Sequence, residues 1–149
     1  MLEELQLEHR GRWLKRYGND APDIAAMAAF KGLRNLAHRV VLSRRLPVLG
    51  FDYHADVKER IGDCCLYIHS FCWSSGLRPP TAKDPVGKHL EVEDALCELA
   101  IAFAAMLQSA RDGTGRQEAA DYAFLAVRGF AAVCCIDVLE AMGSCLRKV

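Results

Sequence analysis

Apolar positions recur at three- and four-residue steps along most of the chain. Between Tyr53 and Ser74, the set Val57, Ile61, Cys64, Cys65, Ile68, Phe71 and Cys72 keeps helical spacing, which predicts one long helix. Leu90, Leu96, Leu99, Phe103, Met106 and Leu107 predict another from His89 to about Ala110, closed by Asp112-Gly113-Thr114-Gly115. Pro22 and Asp23 open an earlier helix that runs to about Arg45 and stops before Pro47, its inward face formed by Phe30, Leu33, Leu36, Ala37, Val40 and Val41. The last apolar stretch predicts a single helix from Gln117 to Leu146. Period-two runs of β-branched residues are missing, so the class is all-α. Four long helices joined by short links predict an antiparallel up-and-down four-helix bundle over residues 23–149. Residues 1–22 form an N-terminal helical extension, in which acids and bases mix around Leu2, Leu5, Leu7, Trp13 and Leu14 before Gly18-Asn19-Asp20 breaks it. The longest irregular connection, Leu77 to Gly87, is the expected mobile loop.

Composition adds limits. A chain of 149 residues with 52% hydrophobic residues suffices for one domain with a substantial core. The longest apolar run, Ala119 to Ile136, contains Asp121 and Arg128, whose charges would be costly inside a bilayer, so no transmembrane span is expected. Seven cysteines without CxxC spacing or a signal peptide imply reduced thiols and a cytoplasmic protein. The final helix is apolar on more than one side. That surplus predicts either a second copy of the chain, hence a homo-oligomer, or cover by the N-terminal extension.

Charge is where the sequence departs from uniformity. The formal net charge is zero, yet Ile24 to Phe51 holds five arginines and lysines, one histidine and no acid. At 3.6 residues per turn, Lys31, Arg34, His38 and Arg45 fall in one stripe with Arg39 beside it. Such a stripe suits phosphates or an acidic partner, unless neighbouring helices supply the missing carboxylates.

Two other constellations carry possible chemistry. Cys65, His69 and Cys72 share one helix face, with Cys97, Cys134 and Cys135 on helices able to face them. Thiolate and imidazole groups so placed bind zinc or Cu(I), but the same spacing describes a packed apolar stripe. Asp94 and Glu98, with Glu118 and Asp121, are candidates to gather around Mg²⁺ beside nucleotide phosphates. The Cys-Glu-Leu of 97–99, the Glu-x-x-Asp of Glu118 and Asp121, and Cys-Ile-Asp-Val-Leu-Glu-Ala at 135–141 resemble the all-α nucleoside triphosphate pyrophosphohydrolases of the MazG type. That resemblance implies a Mg²⁺-dependent hydrolase with those four acids as ligands, Asp94 standing in for a glutamate of the family.

A second resemblance covers Ile24 to Lys148. Its marks are a first helix ending in Leu-Pro at 46–47, Arg-Ile-Gly at 60–62, and Ser-Ser-Gly at 74–76. Ala-Leu-Cys-Glu-Leu at 95–99 and Glu-Ala-Met-Gly-Ser-Cys-Leu at 140–146 complete them. In these the chain is similar to the four-helix bundle proteins that include the products of 23S rRNA intervening sequences and the accessory variability protein of diversity-generating retroelements. The resemblance implies a non-enzymatic oligomer without a cofactor that docks on structured RNA and a reverse transcriptase or another nucleic-acid enzyme. On this chain the basic stripe Lys31, Arg34, His38, Arg39 and Arg45 is the docking face that such a role requires.

Overall fold

The computed structural model of the chain describes residues 2–17, 22–45, 53–81 and 91–146. They form six helices: α1 (Leu2–Tyr17), α2 (Pro22–Arg45), α3 (Tyr53–Ser74), α4 (Val92–Asp112), α5 (Arg116–Val133) and α6 (Val138–Leu146). Among the described residues there is no strand, and no single helix is long and apolar enough to cross a membrane. The expected break at Gly18-Asn19-Asp20, the Leu46-Pro47 stop and most of the long connection lie outside the described residues.

Helix α3 occupies the middle. It packs against α2, α5, α6 and α1, while α4 packs against α5 and α2. In an up-and-down arrangement each helix lies against the next, but α3 and α4 are not among the closely packed pairs. The 17 residues between their ends (75–91) are enough to let the chain reach a non-adjacent position.

The core is built from Ile61, Ile68 and Phe71 of α3, Leu36 of α2, Leu99, Phe103 and Met106 of α4, and Phe124, Val127 and Phe130 of α5, all without solvent exposure. Two glycines set how closely α3 is approached. A Cβ on Gly32 would stand 2.8 Å from the Cys64 sulfur, and one on Gly62 would stand 2.7 Å from Cys145 Cβ and overlap the Ala141 carbonyl oxygen. At Gly62, then, the backbone of α6 lies directly on the backbone of α3.

The helix predicted from Gln117 to Leu146 is broken. α5 ends in a left-handed turn at Cys135 (φ 56°), and α6 leaves at 99° to it. The Ile136 N–H donates to Ala131 O at 2.8 Å and the Cys135 N–H to Ala132 O at 3.1 Å, the paired bonds of a Schellman ending in which cysteine takes the place usually held by glycine. Asp137 then caps α6, its Oδ1 accepting from the N–H of Leu139 at 2.7 Å and of Glu140 at 3.3 Å. The apolar periodicity runs through the break because Ile136 is itself buried at the corner.

The break also settles where the surplus apolar surface goes. α5 buries Ala119, Ala120, Ala123, Phe124, Ala126, Val127, Phe130 and Ala131, packing against α3 and α4. Among the described residues the large apolar side chains that stay exposed are Leu7, Leu14, Ile24, Met27, Val41 and Ile101, none of them in α5 or α6. Much of that apolar surface is thus covered within the chain, while Leu125, Val133, Val138 and Leu139 stay partly exposed.

Gly62→Ala should lower the midpoint of urea unfolding by an amount equivalent to about 2 kcal/mol, because the added methyl overpacks the α3–α6 contact. Gly11→Ala, in α1 where a Cβ meets nothing within 4 Å, should raise it by ~0.5–1 kcal/mol through helix propensity alone. Circular dichroism against urea concentration checks both.

Candidate functional site

Of the five residues expected to form the basic face, three are exposed together on α2: Lys31, Arg34 and His38. No carboxylate among the described residues pairs with any of them. Arg39 departs from the expectation. Its guanidinium turns into the α2–α3 seam and forms an ion pair with Asp56, which also lies 3.9 Å from Arg60; Arg60 reaches Asp63 at 3.6 Å. Arg39 thus joins two helices and is not offered to a partner. The side chain of Arg45 lies outside the described residues.

The exposed face is also less purely basic than the sequence suggests. Ile24, Met27 and Val41 share it, 47%, 52% and 49% exposed. Val41, assigned from the sequence to the inward face, sits seven residues after Arg34, which at ~100° per residue returns it to almost the same angle. The rest of the expected inward face holds, with Leu36 buried and Phe30, Leu33 and Val40 packed against the core, and beside them Ala25, Ala26, Ala29 and Gly32 are buried as well. Small residues serve there because α2 lies close against α3, and a pattern search that looks for large apolar side chains passes over them.

The acidic quartet is not gathered. α4 and α5 are joined through Gly113, Thr114 and Gly115 and pack together, so they run antiparallel. Asp94 stands near the far end of this hairpin and Glu118 near its turn, which at 1.5 Å per residue separates them by ~24 Å along the axis. Asp121 is occupied: Arg78 donates to it through Nη2 at 2.6 Å and Nη1 at 3.3 Å, and Gln117 Nε2 donates at 3.2 Å. Asp94, Glu98, Glu118 and Asp121 hold no Mg²⁺ site here, and no group of three or more His, Cys, Asp or Glu side chains among the described residues is placed to hold a metal.

Cys65, His69 and Cys72 do share the core face of α3. Burial raises the Cys65 thiol well above its ordinary range and pushes Cys72 up to about 12, so neither is a thiolate at neutral pH. His69 Nδ1–H donates to the Cys65 carbonyl at 2.6 Å, and Nε2 is buried without a hydrogen-bond partner. His9, from α1, packs its ring 6.1 Å from that of His69. Its Nε2–H donates to Met142 O at 3.4 Å, while Nδ1 is likewise buried and unpartnered. Phe124 and Trp73 close the cluster around His69, with centroids 5.6 Å and 5.7 Å away. The two rings pin the N-terminal extension to α3 and α6 as neutral imidazoles. Nothing in the sequence marks His9 for this, since it stands among charged residues.

The chain matches no protein-family profile, no curated protein and no solved structure.

Burial lowers His69 to about 4, against the help of its bond to Cys65, and burial also lowers His9 from 6.5, opposed by the bond to Met142 and by Glu8 and Asp63 and aided by Arg12. The unfolded chain therefore binds more protons between about pH 6.5 and pH 4. Stability should be full above pH 6.5 and fall as pH drops toward 4, by on the order of 1 kcal/mol per pH unit for each histidine fully shifted. In urea titrations from pH 7.5 to 4.5, His69→Phe should flatten this decline, whatever it does to stability at neutral pH.

Proposed function

We propose that the chain is a non-enzymatic accessory or assembly protein of the cytoplasm that docks on a nucleic-acid or nucleoprotein partner through the exposed face of α2. In this reading α2, α3, α4 and α5 act as a four-helix bundle that holds the face rigid, and α1 braces α3 and α6 from outside. The observation that carries it is the grouping of Lys31, Arg34 and His38 on one exposed stripe, with no ion-pair partner for them among the described residues. In a chain of zero net charge several other described cations are answered by an acid, as Arg39 by Asp56, Lys58 by Glu140 and Arg78 by Asp121. Unanswered positive charge on a rigid helix is a feature that an anionic partner stabilises.

Contacts of this type position a partner without reading its base sequence. Structured RNA bound to a reverse transcriptase or another nucleic-acid enzyme is a partner of the right character. Few contacts are available, so the interaction is of modest strength and sensitive to salt.

Light scattering of the purified chain at low and high salt, with and without nuclease, tests the reading. Nuclease-sensitive material released by salt is the expected result, with log affinity falling against log salt concentration at a slope of about −2 to −3 for three phosphate contacts. Lys31→Glu with Arg34→Glu should abolish binding and leave helicity unchanged. Binding that survives this double reversal would remove α2 as the docking face.

A further inference from the structure

We infer that the occupant of the α2 face is an amphipathic helix of a protein partner, with acidic residues at the centre of its apolar stripe and aliphatic residues toward both ends. This rests on the reading of α2 as a docking face and names what docks there. After the exposed Asp23 at the helix start, the exposed residues Ile24, Met27, Lys31, Arg34, His38 and Val41 follow one another at steps of three, four, three, four and three. That is the spacing of a helix-pairing seam, and on a straight helix all six lie within an arc of about 100°. A surface made only for phosphate needs cations and has no use for three half-exposed aliphatic side chains in line with them. Here aliphatic residues stand at both ends, ~26 Å apart from Ile24 to Val41, and the cations lie between.

Charge decides against the simplest occupant, a second copy of α2. An antiparallel pair that matches Ile24 with Val41 and Met27 with His38 necessarily sets Lys31 opposite Arg34, twice. A parallel pair sets each cation opposite itself. Either way like charges meet at the centre of an otherwise matched seam, and like-charge contacts are destabilising where opposite ones would support the pairing. The complement of aliphatic, aliphatic, cation, cation, histidine, aliphatic is a stripe with acids in the middle. A partner helix of that kind covers the aliphatic ends and neutralises the centre in one contact.

The experiment uses the full chain and three labelled probes followed by fluorescence anisotropy. The first is a synthetic helical peptide of about 21 residues with leucine at the outer seam positions and glutamate at the central ones. The second replaces those glutamates with lysine, and the third is a single-stranded oligouridine of about ten nucleotides. The acidic peptide should bind, and the lysine peptide should bind at least ~100-fold more weakly. Met27→Ser should weaken the acidic peptide by about tenfold through lost apolar contact, and Arg34→Glu should abolish its binding.

Oligouridine binding that is lost in Arg34→Glu but indifferent to Met27→Ser, with no peptide binding, overturns the helical occupant and leaves the proposed function standing. Failure of every probe overturns both. Peptide binding indifferent to Met27 and Arg34 overturns the seam. A dimer that strengthens with salt and is lost in Met27→Ser assigns the face to a second copy and overturns the acidic helix.

Discussion

The enclosure of α3 is the constraint on which the rest of the molecule depends. Four helices lie against it, and two of the contacts are close enough that a single methyl group at Gly32 or Gly62 would not fit without a shift. A helix surrounded in this way can carry polar side chains only if its own backbone receives them. His69, Ser70 and Ser74 accordingly bond back to the carbonyls of Cys65, Leu66 and Ser70, one turn earlier, at 2.6 to 2.7 Å. Where α3 faces α2 and α6 the answer is ionic instead, through Asp56, Arg60 and Asp63, with the Cys145 thiol donating to Asp63 at 3.1 Å. These interactions use up the groups that would otherwise invite a chemical role for α3.

That enclosure also explains which parts of the surface are left for function. The cysteines of α3 are buried and protonated, Arg39 is committed to Asp56, and Asp121 is committed to Arg78, whose segment is further tied down by Gln6 donating to Pro80 O at 3.3 Å. The acids of α4 and α5 are dispersed along a hairpin whose turn is secured at Gly113 and by Arg116, which donates to the Ser109 and Ala110 carbonyls. One surface left open is the outer side of α2, where Lys31 and Arg34 have no ion-pair partner among the described residues and aliphatic surface is half exposed. This helix is held from behind by small residues and turns its exposed side chains to the outside, where they are open to contact.

Some of this was legible in the residues themselves. The bounds of α2 and α3 follow from Pro22, Asp23 and the apolar spacing between Tyr53 and Ser74, and the structure begins and ends both helices where those signals stand. The capping of α6 was also written in the chain, as Asp137 with Glu140 three residues on. The apolar pattern hides it, because cysteine, not glycine, occupies the left-handed position at 135 and Ile136 keeps the apolar rhythm going through the corner. On the inward face of α2, alanine and glycine make the close contact beside Phe30, Leu33, Leu36 and Val40, while Val41, large and β-branched, is exposed.

The sequence by itself determined the helical class, the helix ends marked by proline and glycine, and the concentration of basic residues after Ile24, since all three are set by spacing within a few turns of one chain segment. Only the tertiary structure decided which charges are free. Whether Arg39 serves a partner or Asp56, and whether Asp94 can meet Glu118, depends on which helices lie side by side and how far along their axes. A zero net charge is compatible with complete pairing and with an exposed basic stripe alike. The difference is made by distances of a few ångströms between residues far apart in sequence, over which Coulomb attraction either holds two side chains together or leaves one of them facing water.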